Sequence, residues 1–118
     1  MNIPKLNAGE VWAGISLDGE PHHVILLPAT PDNGLKWQEA SDWAKSVGGE
    51  LPTRFESALL YANARNSINT SDWYWTTTQP VGYERYAWAQ TFTSGYQTSL
   101  IKGIPSRARA VRRVLMGD

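Results

Sequence analysis

The stretch Gly48-Gly49-Glu50-Leu51-Pro52-Thr53-Arg54 constrains this chain most. Two adjacent glycines reach the left-handed conformation that ends a helix at little cost. Pro52 holds Leu51 extended. Thr53 then stands where a helix cap is needed, and Glu56 three residues later closes a capping box. One helix must therefore stop before this stretch and another start after it. Upstream, Trp37, Ala40, Ala44 and Val47 recur at helical spacing, with Trp43 broadening the face, which predicts a helix over about residues 36–47. Downstream, Phe55, Ala58, Leu59 and Ala62 form the stripe of a second helix, from Thr53 or Arg54 to about Asn66. Within the stretch, Glu50 and Arg54 read as residues that tie helix to sheet.

Both flanks carry strand patterns. Val11, Ala13, Ile15 and Leu17 alternate up to the turn signal Asp18-Gly19. His22 to Leu27 follows, dense enough in branched apolar residues for a central strand. Residues 28–34 are rich in Pro, Asp, Asn and Gly and predict a loop. After a polar connection over 67–72, strands are expected at Trp73–Thr78, Tyr86–Phe92, Tyr96–Leu100 and about Ala108–Leu115. Loops fall at 79–85 and 102–105. Helices segregated from strands argue an α+β fold: two helices packed on a mostly antiparallel twisted sheet, with the N- and C-terminal strands close enough to pair. The 118 residues fit one domain with its own core.

Several classes of function are disfavoured. Lys+Arg and Asp+Glu both number 11, so no global field draws the chain to nucleic acid or an anionic membrane. Cysteine is absent, which removes disulfides, thiolate metal sites and cysteine nucleophiles. Met1 to Lys5 lacks the apolar run of a signal peptide, and Val24 to Leu27 is too short to span a bilayer, so a cytoplasmic protein without membrane contact is expected. His22 and His23 are neighbours on a strand and point to opposite faces, which suits one face and one edge position better than a shared metal. Glu39, Asp42, Glu50 and Glu56 fit helix-surface and capping roles. No Gly-x-Ser-x-Gly elbow, HExxH helix or phosphate loop occurs. The expectation is a protein with no catalytic residue, metal or cofactor.

What remains is an aromatic load of six Trp and five Tyr, concentrated after residue 70. Trp73 and Trp75 face one side of their strand and Tyr74 the other, and Tyr86 and Trp88 repeat the spacing on the next. One face must be core, and plain packing would assign the tryptophans to it. Tyr83, Tyr86 and Tyr96, however, exceed what turns require, and such side chains serve recognition surfaces well. The candidate partner-binding set is Trp73, Trp75, Tyr83, Tyr86, Trp88 and Tyr96. A second cluster, Arg107, Arg109, Arg112 and Arg113, offers a candidate anionic contact through Arg107, Arg109 and Arg113. Its structural alternative is pairing with acids such as Glu50 or Asp42 and stacking on aromatics.

Five segments carry a family likeness: Trp37-Gln38-Glu39-Ala40, Gly49 to Arg54, Trp73-Tyr74-Trp75-Thr76-Thr77, Tyr86-Ala87-Trp88 through Gly95-Tyr96-Gln97, and Arg107 to Arg113. In that order and spacing the chain resembles the C-type-lectin-like fold. Within that fold it resembles the short cysteine-free phage and bacterial domains related to sulfatase-modifying factor, and specifically the Lcl C-terminal-like domain of unknown function. Lys36 departs from the Thr or Ser cap of those relatives. The reactive cysteine pair of the sulfatase-modifying enzymes is missing, and Val81 stands after Gln79-Pro80 where a calcium-binding lectin needs a carboxylate. The resemblance implies that the loops between the aromatic strands form a binding face. It also implies a phage or prophage origin. The expected function is a non-enzymatic recognition module for a host or viral protein, in its narrower form a counter-defence inhibitor in the host cytoplasm. The alternatives are a calcium-independent carbohydrate-binding lectin of a virion or cell surface, and a nucleic-acid accessory factor using the terminal arginines.

Overall fold

The computed structural model describes residues 2–69 and 72–117. Its elements run β1 (Val11–Ser16), β2 (His22–Leu26), α1 (Trp37–Ser46), α2 (Arg54–Ala64) with a 3-10 turn at Arg65–Ser67, β3 (Trp73–Trp75), β4 (Tyr86–Thr91), β5 (Gln97–Ile101) and β6 (Val111–Leu115). The fold is α+β. The expected single sheet is instead two antiparallel three-stranded sheets, ordered β1-β2-β6 and β3-β4-β5, joined by a parallel bridge between Tyr74 and Arg107. β2 is the central strand of the first sheet, as its apolar density demands, and every one of its residues is buried. It therefore lies between β1 and β6, and the N- and C-terminal strands do not pair directly.

The helix boundaries follow from their caps. Thr53 Oγ1 accepts the Glu56 N–H at 3.0 Å, and Glu56 Oε1 accepts the Thr53 N–H at 2.8 Å, so both halves of the capping box form. At α1 the cap is Lys36, whose ammonium cannot accept a hydrogen bond. There the reciprocal half alone satisfies the terminus, from the Lys36 N–H to Glu39 Oε1 at 2.9 Å. Gly48, with φ +89°, ends α1 in the left-handed region. Gly49 is needed for space, because a Cβ there would stand 2.5 Å from the Val111 carbonyl oxygen. That close approach lets Glu50 and Val111 exchange both backbone hydrogen bonds, at 2.9 and 2.8 Å.

Two cores result. α2 packs Leu60 and Ala64 between the first sheet (Ala13, Val24, Leu26, Val111) and Tyr74 with Phe92. α1 packs Ala40 and Ala44 against Trp75, Ala87, Ala89, Ala108 and Ala110 on the other side of the second sheet. Trp75 is the large side chain of this alanine-rich core and fills the space between helix and sheet. β3 is thus buried on both faces, which explains why Tyr74 and Trp75 are both inside.

β3 is shorter than the predicted Trp73–Thr78 strand. The Thr76 N–H and hydroxyl both donate to the Trp88 carbonyl, at 2.9 and 2.7 Å, while the Trp88 N–H donates to the Thr78 carbonyl. Thr77 is squeezed out of the ladder and donates its N–H to the Pro52 carbonyl at 2.8 Å. This bulge fastens the strand to the α1–α2 linker.

Candidate functional site

The register of the second sheet divides the predicted aromatic set. Trp73, Trp75, Ala87, Ala89 and Leu100 share one face, and Tyr74, Tyr86, Trp88, Gln90 and Ser99 share the other. Trp75 is fully buried and donates its indole N–H to the Leu35 carbonyl at 2.8 Å, so it belongs to the core and leaves the candidate set. Trp73 is half-buried and meets Tyr96 edge to face at 6.1 Å. That pair sits at the Thr91 end of β4, on the opposite face and about 17 Å along the strand from Tyr86, at some 3.4 Å per residue.

Tyr83, Tyr86 and Trp88 do converge. With Pro80 and Ser99 they line an open cleft of about 350 Å³. Pro80 to Tyr83 forms a turn closed by the Tyr83 N–H and the Pro80 carbonyl at 3.1 Å, and Gly82 supplies the positive φ its third position requires. A second such bond, from the Tyr86 N–H to the Tyr83 carbonyl at 3.0 Å, brings the two tyrosines edge to face at 6.3 Å. Tyr83 keeps 64% of its surface exposed and Tyr86 keeps 37%. Val81 at the turn's tip is almost fully exposed.

Trp88 forms the floor. Its backbone is held by Thr76 and Thr78, and the Arg54 guanidinium stacks over its ring at 3.7 Å. A cation in that position contributes about 0.5–1 kcal/mol at a partly exposed site. Arg54 is held in turn by Gln97, whose Oε1 accepts its Nε–H at 3.0 Å and whose Nε2 donates to the Arg54 carbonyl at 2.7 Å. Gln97 also donates to Gln90 Oε1 at 2.6 Å, and the buried Gln90 donates to the Ser57 carbonyl at 2.9 Å. A chain of amides thus runs from the inside of α2 to the floor of the cleft. Arg54 ties helix to sheet as expected, and it also stacks on the tryptophan that floors the cleft, a role that sequence reasoning missed. The missed signal is its adjacency to the capping Thr53, which puts it in the first turn of α2.

The arginine cluster does not present one face. Arg113 is half-buried, paired with Glu50 and, through Nε at 2.7 Å, with Glu56. It is therefore engaged internally rather than offered to a ligand. Arg112 pairs with Glu10 at 2.8 Å. Arg107 is exposed and meets Asp72 at 2.9 Å. Arg109 is only 7% exposed. Glu50 is thus the arginine partner that sequence suggested, and Asp42 instead accepts from Gln38 at 3.1 Å. The histidines are both buried in β2: His23 Nδ1 accepts the Trp12 indole N–H at 3.0 Å, and His22 Nε2 lies 2.7 Å from Glu56 Oε2. Glu56 is therefore more than a cap, because it is fully buried where α2 meets β2 and β6.

Among the described residues no group of three or more His, Asp or Glu could hold a metal ion, and no helix is long and apolar enough to cross a membrane. Residues 29–111 match the family described as Domain of unknown function (DUF8780), and the chain belongs to that family. The matched region spans both helices, the second sheet and the whole aromatic cleft. No curated protein matches the chain.

Proposed function

We propose that this protein is a non-enzymatic recognition module that binds a partner protein in the cleft of Tyr83, Tyr86 and Trp88. The observation that carries the reading is the cleft's construction: two exposed tyrosines on a tight turn over a tryptophan whose backbone and ring are both held. Large aromatic side chains with few rotors lose little entropy on binding, and a pre-positioned floor lowers the cost further. The rim supplies Pro80 and the Ser99 hydroxyl, a mixed apolar and polar border that suits a protein surface. Trp73 and Tyr96 lie on the opposite face and stand outside this site.

The narrower form of the proposal rests on the sequence resemblance: a phage or prophage protein acting inside the host cell as a counter-defence inhibitor. Affinity capture from host lysate with wild-type protein and with Tyr83→Ala/Tyr86→Ala tests the site. Capture that is lost in the folded double variant supports it, and undiminished capture removes it. A carbohydrate ligand would instead show as specific binding on a glycan array that the same variant abolishes.

A further inference from the structure

Arg109 differs from its neighbours in the terminal cluster. Arg107, Arg112 and Arg113 each meet a carboxylate, and Arg109 meets none among the described residues. Its guanidinium donates to two neutral carbonyls, Ser67 O at 2.7 Å and Leu27 O at 2.8 Å, while its buried Nε–H has no partner among the described residues. Neutral carbonyls satisfy N–H groups but do not cancel a unit charge, and a buried charge without a counter-charge is costly. Burial accordingly pushes the Arg109 pKa down, opposed by the nearby Tyr74 phenol. An arginine nonetheless stays protonated in a protein.

This uncompensated cation borders a cavity of about 250 Å³ lined also by Thr30, Asn33, Ser67, Tyr74 and Arg107. At roughly 30 Å³ per water that is room for about eight waters, enough for a tetrahedral ion and part of its shell. The side chains around it offer hydroxyl and amide donors, and both charges on the wall are positive. Arg107 sits at the solvent side, with its Nε–H on Asp72. We propose that this cavity is a binding site for a phosphate or sulfate group, with Arg109 as the buried charge and Arg107 as the charge at the mouth. Guanidinium groups suit such oxyanions because their planar donors match the oxygen spacing. The site shares no residue with the aromatic cleft and does not depend on it.

Isothermal titration calorimetry at matched ionic strength tests this with inorganic phosphate, sulfate, glycerol 3-phosphate and acetate. Saturable one-to-one binding of phosphate, with sulfate competing and acetate weaker, is expected. Glycerol 3-phosphate binding more tightly than phosphate would assign the site to an esterified group, and weaker binding to the free ion. Asn33 is exposed, so Asn33→Asp should fold normally and place a repelling carboxylate on the wall. It and Arg107→Gln should each weaken phosphate about tenfold or more, whereas Tyr83→Ala should leave it unchanged. No saturable phosphate binding, acetate binding more tightly than phosphate, or wild-type affinity in both wall variants would overturn the proposal. Arg109 would then be a structural cation held by the Ser67 and Leu27 carbonyls.

Discussion

Arg113 and Glu56 meet where α2 crosses the end of the first sheet, with Arg113 Nε 2.7 Å from Glu56 Oε2 and Nη2 2.8 Å from Oε1. The two-pronged geometry joins the last strand to the first turn of α2, and His22 completes it from β2. Removing Glu56 leaves the half-buried Arg113 with the largely exposed Glu50 as its counter-charge, so the cost falls below the roughly 3–5 kcal/mol of breaking a wholly buried pair. Glu56→Gln should still lose part of the stability of a domain this size, measured as a lower urea midpoint at neutral pH. A midpoint within error of wild type would refute the role assigned to the pair.

The same pairs make the protein acid-sensitive. Burial raises the Glu56 pKa, but the Arg113 guanidinium, the Thr53 N–H and His22 together outweigh it and hold the carboxyl below its ordinary value of 4.5. The Arg112 guanidinium, over a smaller opposing effect of burial, holds Glu10 at about 2. A carboxylate depressed in the folded state stabilises above its unfolded pKa, and that stability drains away as pH falls through the folded value. Melting temperature should thus begin to fall below about pH 4.5 and continue falling toward pH 2. Glu10→Gln should start lower at neutral pH and fall less steeply across that window. A parallel pH profile would exclude Glu10 as a contributor.

The two glycines that end α1 should respond differently to alanine. At Gly48 a Cβ meets nothing within 4 Å, so the cost is the left-handed φ alone, about 1 kcal/mol. At Gly49 a Cβ would strike the backbone oxygen of Val111, and backbone cannot swing aside. Gly49→Ala should cost at the upper end of the 1–3 kcal/mol typical of overpacking, or about that. Chemical denaturation of both variants gives the ranking, and Gly48→Ala as the more damaging change would contradict it.

Gln97 positions Arg54 over Trp88 without touching the cleft itself. Gln97→Ala should cost about 1–3 kcal/mol by leaving the buried Gln90 oxygen unpaired. It should also release the guanidinium from the ring and shift the Trp88 indole N–H resonance. Partner capture should weaken in parallel. An unmoved resonance in the folded variant would show that Arg54 keeps its place unaided.

Much of this architecture is legible in local pattern. Thr53 and Glu56 announce the start of α2, Gly48 announces the end of α1, and the apolar density of β2 announces its central place. Those features act between near neighbours in sequence. The division into two sheets is not legible, because alternation in β3 is the same whether one face or both are covered. Trp73 and Trp75 illustrate this: two apart on one face, one lies half-buried at the rim and the other deep under α1. The pairing of Arg113 with Glu56 and the isolation of Arg109 also escape the sequence, since strand alternation places Arg109 and Arg113 on the same side. The strand begins only at Val111, so that alternation does not govern Arg107 or Arg109. In the cleft, Tyr83 and Tyr86 stand out by their excess over what a turn needs. Arg54 stands out only once the bulge at Thr77 has drawn the helix start against β4.

Residues 106–115 bridge to Leu35, exchange backbone bonds with Trp73 and Trp75, hold Leu27 and Glu50, and line β2 as its outer partner. Neither core is closed without them. A chain emerging from the ribosome therefore carries both helices and both hairpins before it can settle, and residues 106–115 act as the drawstring. Folding must wait for synthesis to reach that point, with partners far apart in sequence and a correspondingly slow closure. Nascent chains stalled with residue 105 just outside the exit tunnel should remain open to protease, and those exposing residue 115 should resist it. Protection already present at residue 105 would show that residues 1–105 can hold themselves together.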